Sequence, residues 1–134
     1  MIECAKINLV TEFDSIDLDV RTNGQHTLEN WIPPNPLDVS LQITLHIGVE
    51  NDIRRDLFET IVETINPSSP CYPGVGSTSL RSKVKSIIVK EYNWQDVKNK
   101  LIDIVKDCER ANWIESRNQL RKVFYWEYEG MDSN

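Results

Sequence analysis

Residues 40–48 have the sequence SLQITLHIG, in which apolar and polar side chains alternate. A period of two predicts a β-strand with one face in the core and a polar face toward water. The apolar side chains are Leu41, Ile43, Leu45 and Ile47. The polar side chains are Gln42, Thr44 and His46. The stretch therefore predicts a sheet whose second face is open to a partner.

Residues 93–108, NWQDVKNKLIDIVKDC, place an apolar side chain at every third or fourth position. This spacing predicts an amphipathic helix that buries one stripe. Asn93 is suited to cap its start, with Asp96 returning the hydrogen bond. The same arrangement at Asn112 and Glu115 predicts a second, shorter helix. The side chains expected inside are Trp94, Val97, Leu101, Ile104, Val105 and Cys108 from the first helix, and Trp113, Ile114 and Leu120 from the second.

The remaining segments complete an α+β domain. Residues 57–65 fit a helix or a strand, and their β-branched content favours the strand. Ile16, Leu18 and Val20 alternate with acids before Asn23-Gly24, which indicates a hairpin or an irregular acidic excursion. Prolines and glycines predict loops at 30–38 and 66–79. Alternating apolar side chains predict strands at 5–9 and 124–128, and residues 87–89 form a short apolar core stretch. We expect one domain, residues 1–134, with a mainly antiparallel sheet, two consecutive C-terminal helices on one face and a closing aromatic strand.

Charge is unevenly distributed along the 134 residues. Twenty-one acids and fifteen bases give a net charge of -6, which argues against direct nucleic-acid binding. Residues 1–71 carry -8 and residues 72–134 carry +2. Such an acidic half can steer a basic partner, although it is also typical of a solvated surface.

Composition also bounds the location and the chemistry. The longest apolar run has four residues, far below the roughly 20 needed to span a membrane, and the N-terminus does not resemble a signal peptide. Cys4, Cys71 and Cys108 are odd in number and widely spaced, which suits the reducing cytoplasm. His26 and His46 have no nearby cysteine or histidine cluster, so we expect no metal and no cofactor. No nucleophile or phosphate-binding motif is present.

Several side chains are candidates for contact with a partner. Glu12, Asp14, Asp17 and Asp19 lie within eight residues and form either a solvated loop or a surface that meets lysines and arginines. Trp31 is either an exposed anchor or a side chain that packs its loop onto the domain. Glu127 and Glu129 would share one side of a strand, which resembles a paired-carboxylate site but is more typical of an exposed strand. The expected partner-binding set is Glu12, Asp14, Asp17, Asp19, Glu29, Trp31, Gln42, Thr44, His46, Glu127 and Glu129.

Ordered segments across residues 28–131 resemble one protein family. They are Leu28-Glu29-Asn30-Trp31 before a proline turn, residues 40–48, residues 87–93, the helix with Asp107-Cys108-Glu109, the Trp113 helix, and Trp126-Glu127-Tyr128-Glu129. Together they resemble the immunity protein 8 family of bacterial polymorphic-toxin and contact-dependent inhibition systems. The acidic segment 14–26 and the loop 66–79 depart from the family pattern.

The resemblance implies a non-catalytic protein that binds and neutralises a cognate toxin domain in the cytoplasm. It transfers no catalytic motif, so the contact residues above come from the sequence pattern alone. An acidic inhibitor favours a basic toxin, with a nuclease as the leading target, in a 1:1 heterodimer. A small hydrolase using Glu127, Glu129 or His46, and a non-catalytic assembly adaptor, are the alternatives.

Overall fold

The computed structural model describes residues 5–68 and 86–129. Within these ranges the chain forms five strands and three helices, and the architecture is α+β as expected. The elements in chain order are β1 Leu9–Asp14, α1 Ile16–Arg21, β2 Ser40–Val49, β3 Asp56–Thr64, β4 Ser86–Val89, α2 Trp94–Asp107, α3 Trp113–Val123 and β5 Tyr125–Trp126.

The strands form one mixed sheet in the order β1-β2-β3-β4, with β5 also paired to β3. The β1–β2, β2–β3 and β3–β5 pairs are antiparallel, and β3–β4 is parallel. Because β2 occupies one edge of β3 almost throughout, β4 and β5 share the other edge. β5 pairs with Phe58 and Glu59, and β4 pairs with residues 61–64.

The core lies between one face of this sheet and the two C-terminal helices. Leu41, Ile43, Leu45 and Ile47 are fully buried, which confirms the alternation seen in β2. They form one cluster with side chains of α2 and α3, including Leu101 and Leu120. Side chains of directly paired residues share a face, so Phe13 of β1 and Phe58 of β3 lie on this core face as well.

Both helix starts follow the sequence prediction. The Asp96 backbone N–H donates to the Asn93 side chain, and the Glu115 N–H donates to that of Asn112. These bonds satisfy backbone donors that have no partner inside the helix. The phase predicted for α2 is confirmed: Trp94, Val97, Leu101, Val105 and Cys108 are buried, with Ile104 partly buried against them. Among the described residues, no helix is long and apolar enough to cross a membrane.

Two predictions for the N-terminal part were wrong. The first strand begins at Leu9 rather than residue 5, and residues 16–21 form helix α1 rather than a hairpin or an irregular excursion. Ser15 caps this helix, and only Leu18 on it is buried, whereas Ile16 and Val20 are 67% and 70% exposed. The turn at Asn23-Gly24 is confirmed, with φ angles of 52° and 73°.

Corrections near the C-terminus concern which aromatic and apolar groups lie inside. On α3, Ser116 and Leu120 are buried and Trp113 is partly buried against the core, as predicted for Trp113 and Leu120. Ile114 was expected inside but is 55% exposed. The closing strand contains only Tyr125 and Trp126, and Tyr128 is 45% exposed in the turn that follows. The strand predicted at 57–65 is confirmed, with bounds Asp56–Thr64. Of the loop expected at 66–79, residues 69–79 lie outside the described part.

Candidate functional site

Five of the expected contact residues lie together on the sheet face opposite the core. In the β1–β2 register, Glu12 is directly opposite His46 and Asp14 is opposite Thr44. Gln42 follows on the same face of β2, because side chains alternate along a strand. The sheet therefore brings together residues separated by about 30 positions in the sequence, and the alternation of β2 was enough to predict the β2 half of this group.

Their exposure differs, and so does their capacity to contact a partner. Glu12 and Asp14 have 76% and 58% of their side chains exposed, whereas Thr44 is only 4% exposed. The expectation that the whole polar face of β2 is wet is therefore wrong at Thr44. Asp14 Oδ2 lies 2.9 Å from His46 Nε2, and Glu12 Oε1 lies 3.8 Å from Arg55 Nε. Exposed pairs of this kind contribute little stability and leave the carboxylates accessible to a partner.

Glu59 belongs to the same face and was not recognised in the sequence. It pairs with Thr44, and it is the only group on this face, within the described ranges, for which a pKa shift is resolved. Burial raises the pKa of the Glu59 carboxyl, and a hydrogen bond with Gln42 opposes that rise. Leu57, Glu59 and Ile61 occupy every second position of β3 and so share one face of that strand. This spacing was the signal that could have placed Glu59 on the same face as Gln42.

Helix α1 is anchored to the part of β2 that extends beyond β1. The Ser15 hydroxyl donates to the Gln42 carbonyl at 2.6 Å, and Asp17 Oδ2 accepts from the Gln42 N–H at 3.2 Å. Arg21 Nη2 donates to the Ser40 carbonyl at 2.6 Å, while its Nε pairs with Asp17 at 2.8 Å. These bonds satisfy edge groups that β1 would otherwise have paired. Asp17, with a side chain 19% exposed, therefore has a structural role.

A cavity of about 350 Å³ lies between the end of β1, helix α1 and residues 26–29. Phe13, Leu18 and Leu28 contribute apolar walls, and Asp14, Asp19 and Glu29 contribute carboxylates. Glu29 pairs with Lys98 at 3.3 Å, whereas Asp19 has no ion-pair partner among the described residues. Apolar walls with acidic groups around them suit the long stem and charged end of a lysine or arginine side chain.

Trp31 packs onto the domain, in agreement with the second of the two sequence alternatives. It is partly buried against the core, and its ring meets that of Tyr92 edge to face at 5.6 Å. Such pairs add about 1 kcal/mol beyond simple burial, so Trp31 fixes the segment that carries Glu29. The neighbouring Ile32 is 85% exposed.

Glu127 and Glu129 lie at the other edge of the sheet, and their predicted arrangement along one strand is wrong. Strand β5 ends at Trp126, and both glutamates occupy the following turn. The Glu127 carboxylate accepts a hydrogen bond from the Leu57 N–H, and Glu129 binds Arg121 through contacts of 2.7 and 3.1 Å. Each carboxylate is thus held by its own intramolecular bond.

A second surface, which we call the aromatic groove, was not anticipated from the sequence. It has a volume of about 620 Å³ and includes Trp113, Ile114, Arg117, Trp126 and Tyr128. The guanidinium of Arg117 lies 4.7 Å from the centre of the Trp126 ring. The residues three and four positions after Ile114 are Arg117 and Asn118, and this polar helical row was the available signal that Ile114 is exposed.

The residues do not gather as a metal centre. Within the described ranges, no three histidine, cysteine, aspartate or glutamate side chains are grouped to hold an ion. In the β1–α1 region, exposed carboxylates surround an apolar cavity, and the sheet and a capped helix fix their positions.

These features describe an acidic α+β binding protein, and comparison with known proteins gives its family. The family model for immunity protein 8 matches residues 17–131, which is most of the chain. The protein therefore belongs to the immunity protein 8 family, and the family implies an immunity protein directed against a toxin. No curated protein and no solved structure matches the chain.

Proposed function

We propose that this protein binds a cognate toxin domain in the cytoplasm as a 1:1 heterodimer and neutralises it by covering its active site or an adjacent surface. Family membership supports the immunity role. The observation that supports the location of the contact is the acidic surface, defined here as Glu12, Asp14, Asp19 and Glu29. These side chains come from three segments, β1, α1 and the loop before Trp31, and all four residues are exposed.

The toxin is a basic protein in this proposal, and a nuclease is the favoured class. A nuclease presents positive charge to the phosphates of its substrate. Carboxylates of an inhibitor can occupy the positions that those phosphates would take, so the same positive charge attracts the acidic surface. Long-range attraction raises the association rate, while desolvated contacts at the centre of the interface determine how slowly the complex dissociates.

The test uses the toxin-like C-terminal domain encoded directly upstream of this chain as the probe. Asp19→Lys should lower the association rate by about tenfold at low salt, and the difference should shrink at high salt. Glu50→Lys is the matched control: it makes the same charge change at an exposed residue just beyond the far end of β2. Equal association rates for the two variants would remove the acidic surface from the proposal.

An assembly adaptor is the second candidate, and the aromatic groove is the observation that favours it. Tryptophan, tyrosine and arginine are enriched at the energetic centres of protein interfaces. An adaptor would bind another protein without protecting cells from the upstream toxin. Ile114→Ser should abolish adaptor binding and leave toxin protection unchanged.

A further inference from the structure

Strand β1 is an edge strand of the described sheet. One of its backbone edges faces β2, and the other, the outer edge, faces away from β2. The Asn8 carbonyl accepts from the Glu50 N–H at 2.9 Å, on the side of β2. The Leu9 N–H donates instead to Glu109 at 2.7 Å, and the Leu9 carbonyl accepts from Lys106 at 3.2 Å, on the outer side. Because backbone groups alternate in direction, Thr11 and Phe13 also point their N–H and C=O groups outward.

Among the residues that the structure describes, the outer edge of β1 is covered at Leu9 and open further along. Lys106, in the last turn of α2, and Glu109, just after that helix, satisfy the groups of Leu9. Within the described ranges, no strand or side chain bonds the outward groups of Thr11 and Phe13. Two donors and two acceptors are therefore presented in a row. Native proteins usually cover or block such an edge, because it can pair with another chain.

A cavity lies at each end of this open stretch. One, of about 230 Å³, lies between Leu9–Thr11 and α2, where Ile102 and Val105 make it largely apolar. The other is the cavity of about 350 Å³ that Asp14, Asp19 and Glu29 line, called the acidic cavity from here on, which begins at Phe13. Side chains on the same face of an added strand recur about every 7 Å, the spacing between Thr11 and Phe13 along β1. Adjacent pockets for alternate side chains are what confers specificity when a strand adds to a sheet edge.

We propose that an extended segment of the toxin domain adds to the sheet beside β1, pairing with Thr11 and Phe13. It places an apolar side chain against α2 and a lysine or arginine in the acidic cavity, where Asp19 has no ion-pair partner among the described residues. This inference rests on the proposed function, since it names how the toxin is bound. Charge complementarity selects the occupant, because a neutral or acidic segment would gain nothing from the carboxylates of the cavity.

Hydrogen exchange on the complex tests the pairing without any substitution. The chain is purified alone and together with the upstream toxin-like domain, and backbone amides are followed individually by NMR. The amides of Thr11 and Phe13 should exchange at least about tenfold more slowly in the complex. Those of Val10 and Glu12 face β2 and should be protected in both samples. A complex in which the Thr11 and Phe13 amides exchange as in the free chain would overturn strand addition.

A backbone variant supplies the second test. Thr11→Pro removes the outward N–H and leaves the β2 ladder intact, a position where strands tolerate proline. Thr11→Val is the matched control, because it keeps the backbone donor and nearly the same volume. We expect at least a tenfold loss of toxin affinity for the proline variant alone. Equal affinities for a folded proline variant and the valine variant would contradict the inference, and if the proline variant does not fold, the exchange experiment decides.

The two proposals fail differently. If the wild-type chain neither binds nor neutralises the upstream domain, the proposed function fails. If the wild-type chain binds it tightly while the Thr11 and Phe13 amides stay unprotected, the immunity function stands and only strand addition fails.

Discussion

Replacement of Ser15 by alanine should weaken the attachment of helix α1, and with it the position of the acidic surface. The Ser15 hydroxyl makes two bonds at once. It accepts from the Leu18 N–H at 3.1 Å as the helix cap, and it donates to the Gln42 carbonyl at 2.6 Å. Ser15 is 8% exposed, so water does not readily replace either bond.

The magnitude follows from these two bonds. Loss of a helix cap costs about 1 kcal/mol, and loss of a neutral hydrogen bond that leaves its acceptor without the partner costs about 1 kcal/mol more. The free energy of unfolding should therefore fall by about 2 kcal/mol, which corresponds to a shift of about 1 M in the urea midpoint.

Equilibrium urea unfolding measures this loss, and Asn93→Ala provides the control. The Asn93 side chain caps α2 by accepting from the Asp96 N–H at 3.1 Å, and in the described part of the chain no bond to another strand or helix accompanies it. The control should lose only about 1 kcal/mol. A Ser15→Ala variant no less stable than Asn93→Ala would show that the bond to Gln42 does not anchor α1.

Three further predictions concern stability and titration. Leu101→Ala should lower the free energy of unfolding by about 3 kcal/mol, because Leu101 is fully buried, whereas Ile53→Ala, at a side chain 99% exposed, should change it by less than about 0.5 kcal/mol. Burial raises the pKa of Glu59, so the protonated carboxyl contributes fully to stability below pH 4.5, the ordinary pKa of glutamate, and this contribution is lost as pH rises through the pKa in the folded chain. Urea unfolding should therefore show that Glu59→Gln gains stability relative to wild type between pH 4 and pH 7. Burial also raises the pKa of the Cys108 thiol, and its alkylation by iodoacetamide, followed by peptide mass spectrometry, should be about 100-fold slower in the folded chain than in urea.

Each of these has a clear contrary result. Equal losses for Leu101→Ala and Ile53→Ala would contradict the assigned core. A Glu59→Gln difference that does not change with pH would contradict a raised pKa. Alkylation of Cys108 at the same rate with and without urea would show that the thiol is accessible in the native state.

The elements predicted correctly are those whose local signals agree with one another. In β2, a period of two runs without interruption over seven residues, and in α2 a helical stripe follows a capping asparagine. Helix α1 was missed because Ile16, Leu18 and Val20 also alternate as in a strand, and only Leu18 is buried. Helix α1 is stabilised by bonds to β2 that join residues more than 20 positions apart, and no local sequence pattern indicates those bonds.

The candidate site also has a part that local signals predict and a part that they do not. The residues on the sheet face opposite the core follow from strand register, since pairing places Glu12 beside His46 once both strands are known. The acidic cavity draws on three separate segments, so its existence depends on how α1 and the loop before Trp31 pack. Asp17 illustrates the limit of reading charge alone, because its carboxylate serves the Gln42 N–H and Arg21 inside the fold.

The most direct test of the immunity function is growth of cells producing the upstream toxin-like domain, with and without this chain, followed by size determination of the purified pair. We expect the chain to restore growth and the two proteins to elute as a 1:1 complex. Toxicity that persists in the presence of the chain, with the two proteins eluting separately, would contradict it.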